Sequence, residues 1–118
     1  MTRKKIEEFV REREVSNRNM SNYCGQNAKR IFHLDSQIYR DGALPAKIKE
    51  LLGLVASLVL RCEDCINYHL INCYENGVSD KELAEALTIG LMIGGSITIP
   101  HMRLAYATWA DLKKEYKE

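Results

Sequence analysis

Apolar residues recur every three or four positions along most of this chain, a spacing typical of amphipathic helices. The first such stretch covers residues 3 to about 16, where apolar residues such as Ile6 and Val10 lie among alternating charges. The next segment, Asn17 to Gln26, is polar and has no periodicity, so we predict a frayed helix end and a loop there. A second helix is predicted over Asn27 to Tyr39.

Turn and capping residues set the limits of the next three helices. Pro45 fits the first turn of a third helix, predicted to run to about Leu60, because the N–H that proline lacks is unpaired there anyway. A fourth helix is predicted over Glu63–Glu75, where Asn76-Gly77 supplies a glycine for the left-handed position after the last turn. The sequence Ser79-Asp80-Lys81-Glu82 forms a capping box that begins the fifth helix.

The most apolar segment of the chain runs from Leu83 to Ile99. Because it is apolar nearly all round, we expect it to be buried against several neighbours or against another subunit. The glycines in this segment, Gly90, Gly94 and Gly95, would let another helix approach closely. Pro100 removes a helical hydrogen bond and predicts a kink, after which a partly separate terminal segment begins.

Length and charge narrow the class of protein. At 118 residues the chain is predicted to form one domain over residues 1–118, an all-α single-domain bundle of about five to six helices. With 17 basic and 16 acidic residues, the net charge of +1 creates no field that would attract nucleic acid. No stretch is apolar enough to span a bilayer, and the charged N-terminus lacks the core of a signal peptide. We therefore expect a cytoplasmic protein with no membrane segment, whose cysteines are reduced by default.

The reactive residues gather at the predicted start of the fourth helix. Cys62 and Cys65 form a C-x-x-C motif, and His69 follows four residues after the second cysteine. Two thiols three residues apart can be oxidised to a disulfide or share a metal. The unpaired N–H groups and positive dipole end of a helix N-terminus favour a thiolate, and His69 can accept and return its proton. We predict a redox-active pair, with metal binding and inert packing as the alternatives.

Two further residues could enlarge this set, Cys73 and His101. With Cys62, Cys65 and His69, Cys73 would complete a three-cysteine, one-histidine zinc site. A continuous helix rises ~1.5 Å per residue, however, so Cys65 and Cys73 would be ~12 Å apart along the axis. We therefore predict that Cys73 packs in the core and that no metal is bound. His101 follows the predicted kink, where a cap or core role is favoured, but it could line the same pocket.

Charged residues lie within the motif and before it. Glu63 and Asp64 lie between the cysteines and oppose thiolate formation, although both suit the first turn of a helix as partners of its dipole. Lys47, Lys49 and Arg61 could supply positive charge to the site, but a solvated face is the default interpretation of each.

The spacing of Glu50, Cys62, Cys65 and His69 resembles the signature of the alkylhydroperoxidase D branch of the carboxymuconolactone decarboxylase family. The likeness continues through NCYENGVSDKELAEAL and GGSITIPHMRLA, and covers roughly residues 30 to 110. This resemblance implies an all-helical module of antioxidant defence that assembles as a homotrimer or homohexamer.

By the same resemblance, the two cysteines cycle between dithiol and disulfide without a tightly bound cofactor. They pass electrons to a peroxide or a peroxiredoxin and receive them from a lipoyl-type dithiol, which a lipoyl-bearing protein could carry. Cys65 is implied as the attacking thiol, Cys62 as the resolving thiol, and His69 with Glu50 as the proton relay. The enzymes of that branch have a histidine immediately before the second cysteine, where this chain has Asp64. This departure removes one member of the relay and leaves the dithiol chemistry in place.

Two other functions stay open for a chain with this pattern. One is a lyase of the carboxymuconolactone decarboxylase type, although such a decarboxylation does not call for a dithiol. The other is a metal-binding or scaffold protein that keeps the fold without catalysis. Geometry sets a condition on the redox hypothesis, because on one straight helix Glu50 would lie ~18 Å from Cys62. The hypothesis therefore requires a break near Leu60 to Cys62, or a second helix or subunit that brings the groups together.

Overall fold

The computed structural model describes the backbone of residues 3–116 and the side chains of residues 5–114. This part of the chain contains no strand and forms six α-helices with a short 3₁₀ turn, Ser96–Thr98. The helices are α1 Arg3–Cys24, α2 Gln26–Ile38, α3 Ala46–Val59, α4 Glu63–Glu75, α5 Asp80–Gly94 and α6 Ile99–Tyr116. The all-α bundle of five to six helices is therefore confirmed. The prediction of a single domain over residues 1–118 stays a prediction.

The core lies around α4, which packs between α3 on one side and α6 on the other. Helices α5 and α1 close the bundle against α3 and α6 respectively, and α2 packs on α1 without burying a residue of its own. The most completely buried apolar side chains come from four helices: Ile6, Leu54, Leu58, Ile66, Leu70 and Leu112. Each such side chain stabilises the fold by about 1.5–3 kcal/mol relative to an exposed one.

The ends of α4 and the start of α5 lie where their capping residues predict. Helix α4 covers Glu63–Glu75 and is followed by Gly77 in the left-handed region at φ 78°. The capping box at α5 is complete, because the backbone N–H of Glu82 donates to Ser79 Oγ at 3.1 Å and the Ser79 N–H donates to Glu82 Oε1 at 2.8 Å.

The predicted loop over Asn17 to Gln26 is wrong. Helix α1 continues to Cys24, and only Gly25, at φ 93°, separates it from α2. The polar segment stays helical because α1 packs against α2, which orders it without a stripe of apolar residues. Its end is set by Gly25, whose N–H donates to the carbonyl of Ser21 at 2.8 Å.

The predicted kink at Pro100 is also wrong, because the break comes earlier in the chain. Helix α5 ends at Gly94, and Gly95 takes a left-handed conformation at φ 78° that any other residue would adopt only with strain. Pro100 lies in the first turn of α6, where its missing N–H has no helical partner to lose. The predicted close approach is found at Gly90, where an added Cβ would lie 2.7 Å from Leu58 Cδ2 of α3.

The segment from Leu83 to Ile99 is buried on one side, at Leu83, Leu87 and Gly90, and its other side is exposed. In the single chain, an apolar surface formed by α3 and α5 stays open to solvent, with Leu60 at 77% and Ile93 at 68% exposure. Leu52 and Ile89 belong to the same surface. Within residues 3–116, no helix combines the length and the hydropathy needed to cross a membrane.

Candidate dithiol active site

The break that the site requires lies between α3 and α4. Arg61 takes the left-handed conformation at φ 60°, and its N–H donates to the carbonyl of Leu58 at 3.0 Å. The N–H of Cys62 donates to the carbonyl of Ser57, also at 3.0 Å. These two bonds form a Schellman motif, in which a non-glycine residue occupies the position that glycine usually fills. The motif reverses the chain, so that α4 packs back along α3.

Cys62 ends this motif and is the N-cap of α4. The backbone N–H of Cys65 donates to Cys62 Sγ at 3.2 Å, and the two cysteines form a disulfide with their Cα atoms 5.2 Å apart. Both residues are half-buried. In the reduced form, the same N–H and the positive end of the α4 dipole would stabilise a thiolate at this position.

A buried acid–imidazole pair includes His69, one turn of α4 after Cys65. Nδ1 of His69 is 2.8 Å from Oε1 of Glu50, and both residues are buried between α3 and α4. Because a carboxylate oxygen accepts in this contact, the imidazole hydrogen lies on Nδ1, and proton exchange with a substrate must use Nε2. Nδ2 of Asn72 donates to the same Glu50 oxygen at 3.3 Å. Two donors therefore fix the carboxylate that orients His69.

Two tyrosines and one glycine enclose the imidazole. The rings of Tyr39 and Tyr68 lie 5.4 Å and 5.3 Å from the His69 ring, the second in an edge-on arrangement. Gly53 faces the imidazole from α3, and a Cβ there would lie 2.7 Å from His69 Cε1. Burial, with the negative charges of Asp35 and Glu50 adding, raises the pKa of Tyr39. Tyr39 is therefore a neutral hydrogen-bonding group at neutral pH.

The other predicted site residues are distributed around the first turn of α4. Asp64 is exposed and lies 3.8 Å from Nε of Arg13, a residue of α1. Nδ1 of His101 is buried and lies 3.3 Å from Oε1 of Glu63, at an angle that does not make a hydrogen bond. His101 thus reaches α4 beside Cys62, and its role as a pocket residue stays a prediction.

The remaining cysteines and lysines lie away from the dithiol chemistry. Cys73 is fully buried and unbridged, as predicted, whereas Cys24 is exposed and unbridged. Lys47 pairs with Glu82 of α5 at 2.9 Å, and Lys49 donates to two backbone carbonyls at the end of α2. Both lysines therefore hold helices together. Within the described residues, no group of three or more His, Cys, Asp or Glu side chains is arranged to hold a metal ion.

Sequence reasoning missed five residues around the site: Arg13, Tyr39, Gly53, Tyr68 and Asn72. For Asn72 a signal exists, since it follows His69 by three residues and shares its helical face. Tyr68 directly precedes His69, but its contact depends on the ring orientation. The others lie on α1, directly after α2 and on α3, and only the tertiary fold brings them to α4.

The fold and the site together define an all-helical protein with a disulfide-bonded C-x-x-C motif at a helix N-terminus. The chain belongs to the carboxymuconolactone decarboxylase family, whose sequence model matches residues 26–108. The predicted resemblance to this family is confirmed. Helix α1 lies before the matched segment.

Two solved structures are similar to this chain. A carboxymuconolactone decarboxylase family protein of Thermotoga maritima is 51% identical, with a TM-score of 0.87 over 93% of each chain, and its description suggests involvement in an antioxidative response. A family protein of Legionella pneumophila is 20% identical, with a TM-score of 0.81 over 91% of this chain and 96% of that one, and it supports the fold alone.

A curated relative adds sequence similarity but no activity. An uncharacterised protein of Cupriavidus necator is 34% identical over 56 residues, which are 48% of this chain and 50% of the relative. The match thus spans about half of that relative's length.

Proposed function

We propose that this protein is a dithiol/disulfide oxidoreductase of antioxidant defence, with peroxidase or peroxiredoxin-reducing activity. The observation that carries the proposal is the Cys62–Cys65 disulfide at the start of α4, one turn before an imidazole that is bonded to a buried carboxylate. The similarity to the T. maritima protein supports the antioxidant setting.

In the proposed first step, Cys65 is the attacking thiol. His69 shares its helical face and takes the thiol proton at Nε2, while Glu50 stabilises the imidazolium through Nδ1. The thiolate attacks one peroxide oxygen, so that an S–O bond forms and the O–O bond breaks. The leaving oxygen takes the proton back from His69 and departs as an alcohol or as water. Cys65 is thereby oxidised to a sulfenic acid.

In the second step, Cys62 resolves the sulfenic acid. Its sulfur attacks Cys65, the S–S bond forms, the S–O bond breaks and water leaves. An external dithiol then reduces the disulfide by two thiol–disulfide exchanges and is itself oxidised. The net reaction consumes one peroxide and one external dithiol. It yields one alcohol (water, if the substrate is hydrogen peroxide), one molecule of water from the resolving step, and one external disulfide. We propose a lipoyl-type dithiol, on a lipoyl-bearing protein, as that donor and a peroxiredoxin as an alternative acceptor.

The proposal includes a homo-oligomer, a homotrimer or a homohexamer. Support comes from the apolar surface of α3 and α5 that the single chain leaves exposed, including Leu52, Leu60, Ile89 and Ile93. Such a large apolar patch on a small domain is typical of an interface.

The test of the proposed activity is peroxide consumption by the purified protein with dihydrolipoamide as reductant, compared with dithiothreitol and the monothiol glutathione. The proposal expects turnover that requires a dithiol and is faster with dihydrolipoamide. A protein that consumes no peroxide and reduces no oxidised peroxiredoxin with any of these reductants would reject it.

A thiol titration beside metal analysis separates this proposal from the scaffold hypothesis. Metal-free protein in which reduction adds two reactive thiols to the exposed Cys24 supports the oxidoreductase, whereas stoichiometric metal with protected thiols supports a metal-binding protein. A lyase acting on a muconolactone-like substrate would keep its activity when Cys62 and Cys65 are both replaced by serine.

A further inference from the structure

Arg13 of α1 contacts α4 at the turn that carries the second cysteine. Its Cζ lies 3.6 Å from the centroid of the Tyr68 ring, and its Nε lies 3.8 Å from Oδ2 of Asp64. Asp64 and Tyr68 are one helical turn apart, so a single guanidinium reaches both. Cys65 lies beside both positions on the helical surface. Arg13 therefore borders the dithiol from outside α4.

The first consequence of this contact is electrostatic. The negative groups near the cysteines are Glu63 and Asp64 on α4 and Glu50 on α3, and each opposes a thiolate. The groups that can carry positive charge are Arg61 in the α3–α4 turn, His69 on α4, His101 on α6 and Arg13 on α1. Because Arg13 is only 31% exposed, its charge is less screened than that of a freely solvated side chain. Arg13 thus offsets the acid next to Cys65.

The second consequence is positional. The guanidinium covers one face of Tyr68, and the Tyr68 ring meets His69 edge-on at 5.3 Å between centroids. A cation over an aromatic face is attracted by the charge distribution of the ring, which favours one ring orientation. Arg13 therefore supports the imidazole through Tyr68, while Glu50 holds its Nδ1 atom.

Helix α1 lies before the segment that the family model matches, residues 26–108. Arg13 thus reaches the site from outside the matched segment. We propose that Arg13 is a positioning residue of the dithiol site, which favours the thiolate at the Cys62–Cys65 pair and holds Tyr68 against His69. Its effect on turnover rests on the proposed function, whereas its effect on thiol ionisation does not.

The experiment measures the rate at which iodoacetamide alkylates the reduced Cys62–Cys65 pair as a function of pH. The Cys24→Ser background removes the exposed unbridged thiol, and peptide mass spectrometry assigns each alkylated cysteine. Two variants remove the charge: Arg13→Gln, and Arg13→Met, which keeps an apolar stem over Tyr68. Arg13→Lys keeps the charge. Arg11→Gln, on the exposed side of the same helix, is the matched control.

The proposal expects the profiles of Arg13→Gln and Arg13→Met to move to higher pH by about 0.2–0.7 units, the size of a partly exposed ion-pair effect. Arg13→Lys should move less than half as far, and Arg11→Gln should coincide with the parent. If one charge-removing variant does not keep the parent's circular dichroism spectrum, the comparison with the parent uses the other variant. Profiles of Arg13→Gln and Arg13→Met that coincide with the parent would overturn the proposal. Absence of peroxide turnover in the parent would reject the proposed function alone, since alkylation does not require turnover.

Discussion

Nδ1 of His69 lies 2.8 Å from Oε1 of Glu50, although 19 residues separate them in the chain. The contact exists because the Schellman motif at Arg61 turns α4 back along α3. On a continuous helix these two groups would be ~28 Å apart along the axis, at ~1.5 Å per residue. The turn that places the cysteines therefore also assembles the acid–imidazole pair.

This pair gives the first prediction. Glu50→Gln keeps the shape of the side chain but removes the charge that would stabilise a protonated His69. We expect kcat for peroxide reduction to fall about tenfold or more, because a poorly stabilised imidazole transfers protons less well. Steady-state kinetics across pH measure the effect. Glu85→Gln, at an exposed position of α5, is the control, and a Glu50→Gln variant with the parent's kcat would contradict the relay.

The second prediction concerns the space that Gly53 leaves for the imidazole. In Gly53→Ala the new Cβ would lie 2.7 Å from His69 Cε1 and 2.8 Å from Tyr39 Oη, so a ring must move. We expect a loss of about 1–3 kcal/mol in the free energy of unfolding, as in other overpacked sites, together with slower turnover. Urea denaturation and peroxide kinetics test this.

A matched glycine isolates the steric effect in that test. At Gly42 the added Cβ would meet only the flexible end of Lys49, at 3.4 Å. Gly42→Ala should therefore fold and react as the parent does. Equal behaviour of the two alanine variants would show that Gly53 does not shape the site.

The third prediction separates the two unbridged cysteines by their ionisation. Burial, with the charge of Glu50 adding, raises the pKa of the Cys73 thiol from 9.0 to about 12, whereas Cys24 is exposed. In native protein near neutral pH, we expect an alkylating reagent to modify Cys24 and to leave Cys73 intact. Mass spectrometry after timed alkylation measures both sites, and rapid modification of Cys73 in folded protein would contradict its burial.

The raised pKa of Cys73 also sets the direction of a stability change with pH. The unfolded chain loses this proton near its ordinary value of 9.0, while the folded chain keeps it until about 12. The contribution of the neutral thiol to stability is complete below that ordinary value and is lost as pH rises through this interval. Urea denaturation at stepwise increasing alkaline pH should therefore give a falling free energy of unfolding, with a smaller slope in Cys73→Ala.

The fourth prediction concerns the apolar surface of α3 and α5. Adding charge at Leu52 and Ile93, which are 56% and 68% exposed in the single chain, should disrupt an interface without touching the core. We expect Leu52→Glu/Ile93→Glu to elute as a monomer while keeping the helical circular dichroism of the parent. Ala107→Glu, at an exposed position of α6, should keep the parent's size. A parent chain that is already monomeric would remove the support for an oligomer.

The sequence predicted those features that depend on local chemistry. Helix α4 was predictable over Glu63–Glu75 because a glycine ends it and a C-x-x-C motif begins it. The break at Gly95 was not, because an apolar run hides the end of a helix and Pro100 offers a stronger but misleading signal. A proline is tolerated in a first helical turn, so its presence alone does not locate the break.

The candidate site was predictable only in part, for a related reason. Spacing and resemblance selected Glu50, Cys62, Cys65 and His69, and geometry required a break near Leu60 that the structure contains. Two of the groups that enclose His69, Tyr39 and Gly53, lie outside α4 and reach it only through tertiary contacts. Gly53 illustrates this, because a residue without a Cβ is required there only once α3 packs against α4.

The central claim is that Cys62 and Cys65 act together as a reversible dithiol. The most direct measurement is dihydrolipoamide-dependent peroxide reduction by Cys62→Ser and Cys65→Ser, beside Cys24→Ser and Cys73→Ser as controls that leave the pair intact. The account predicts that each of the first two substitutions abolishes dithiol-dependent turnover and that both controls retain it. Full activity in either Cys62→Ser or Cys65→Ser would contradict the account.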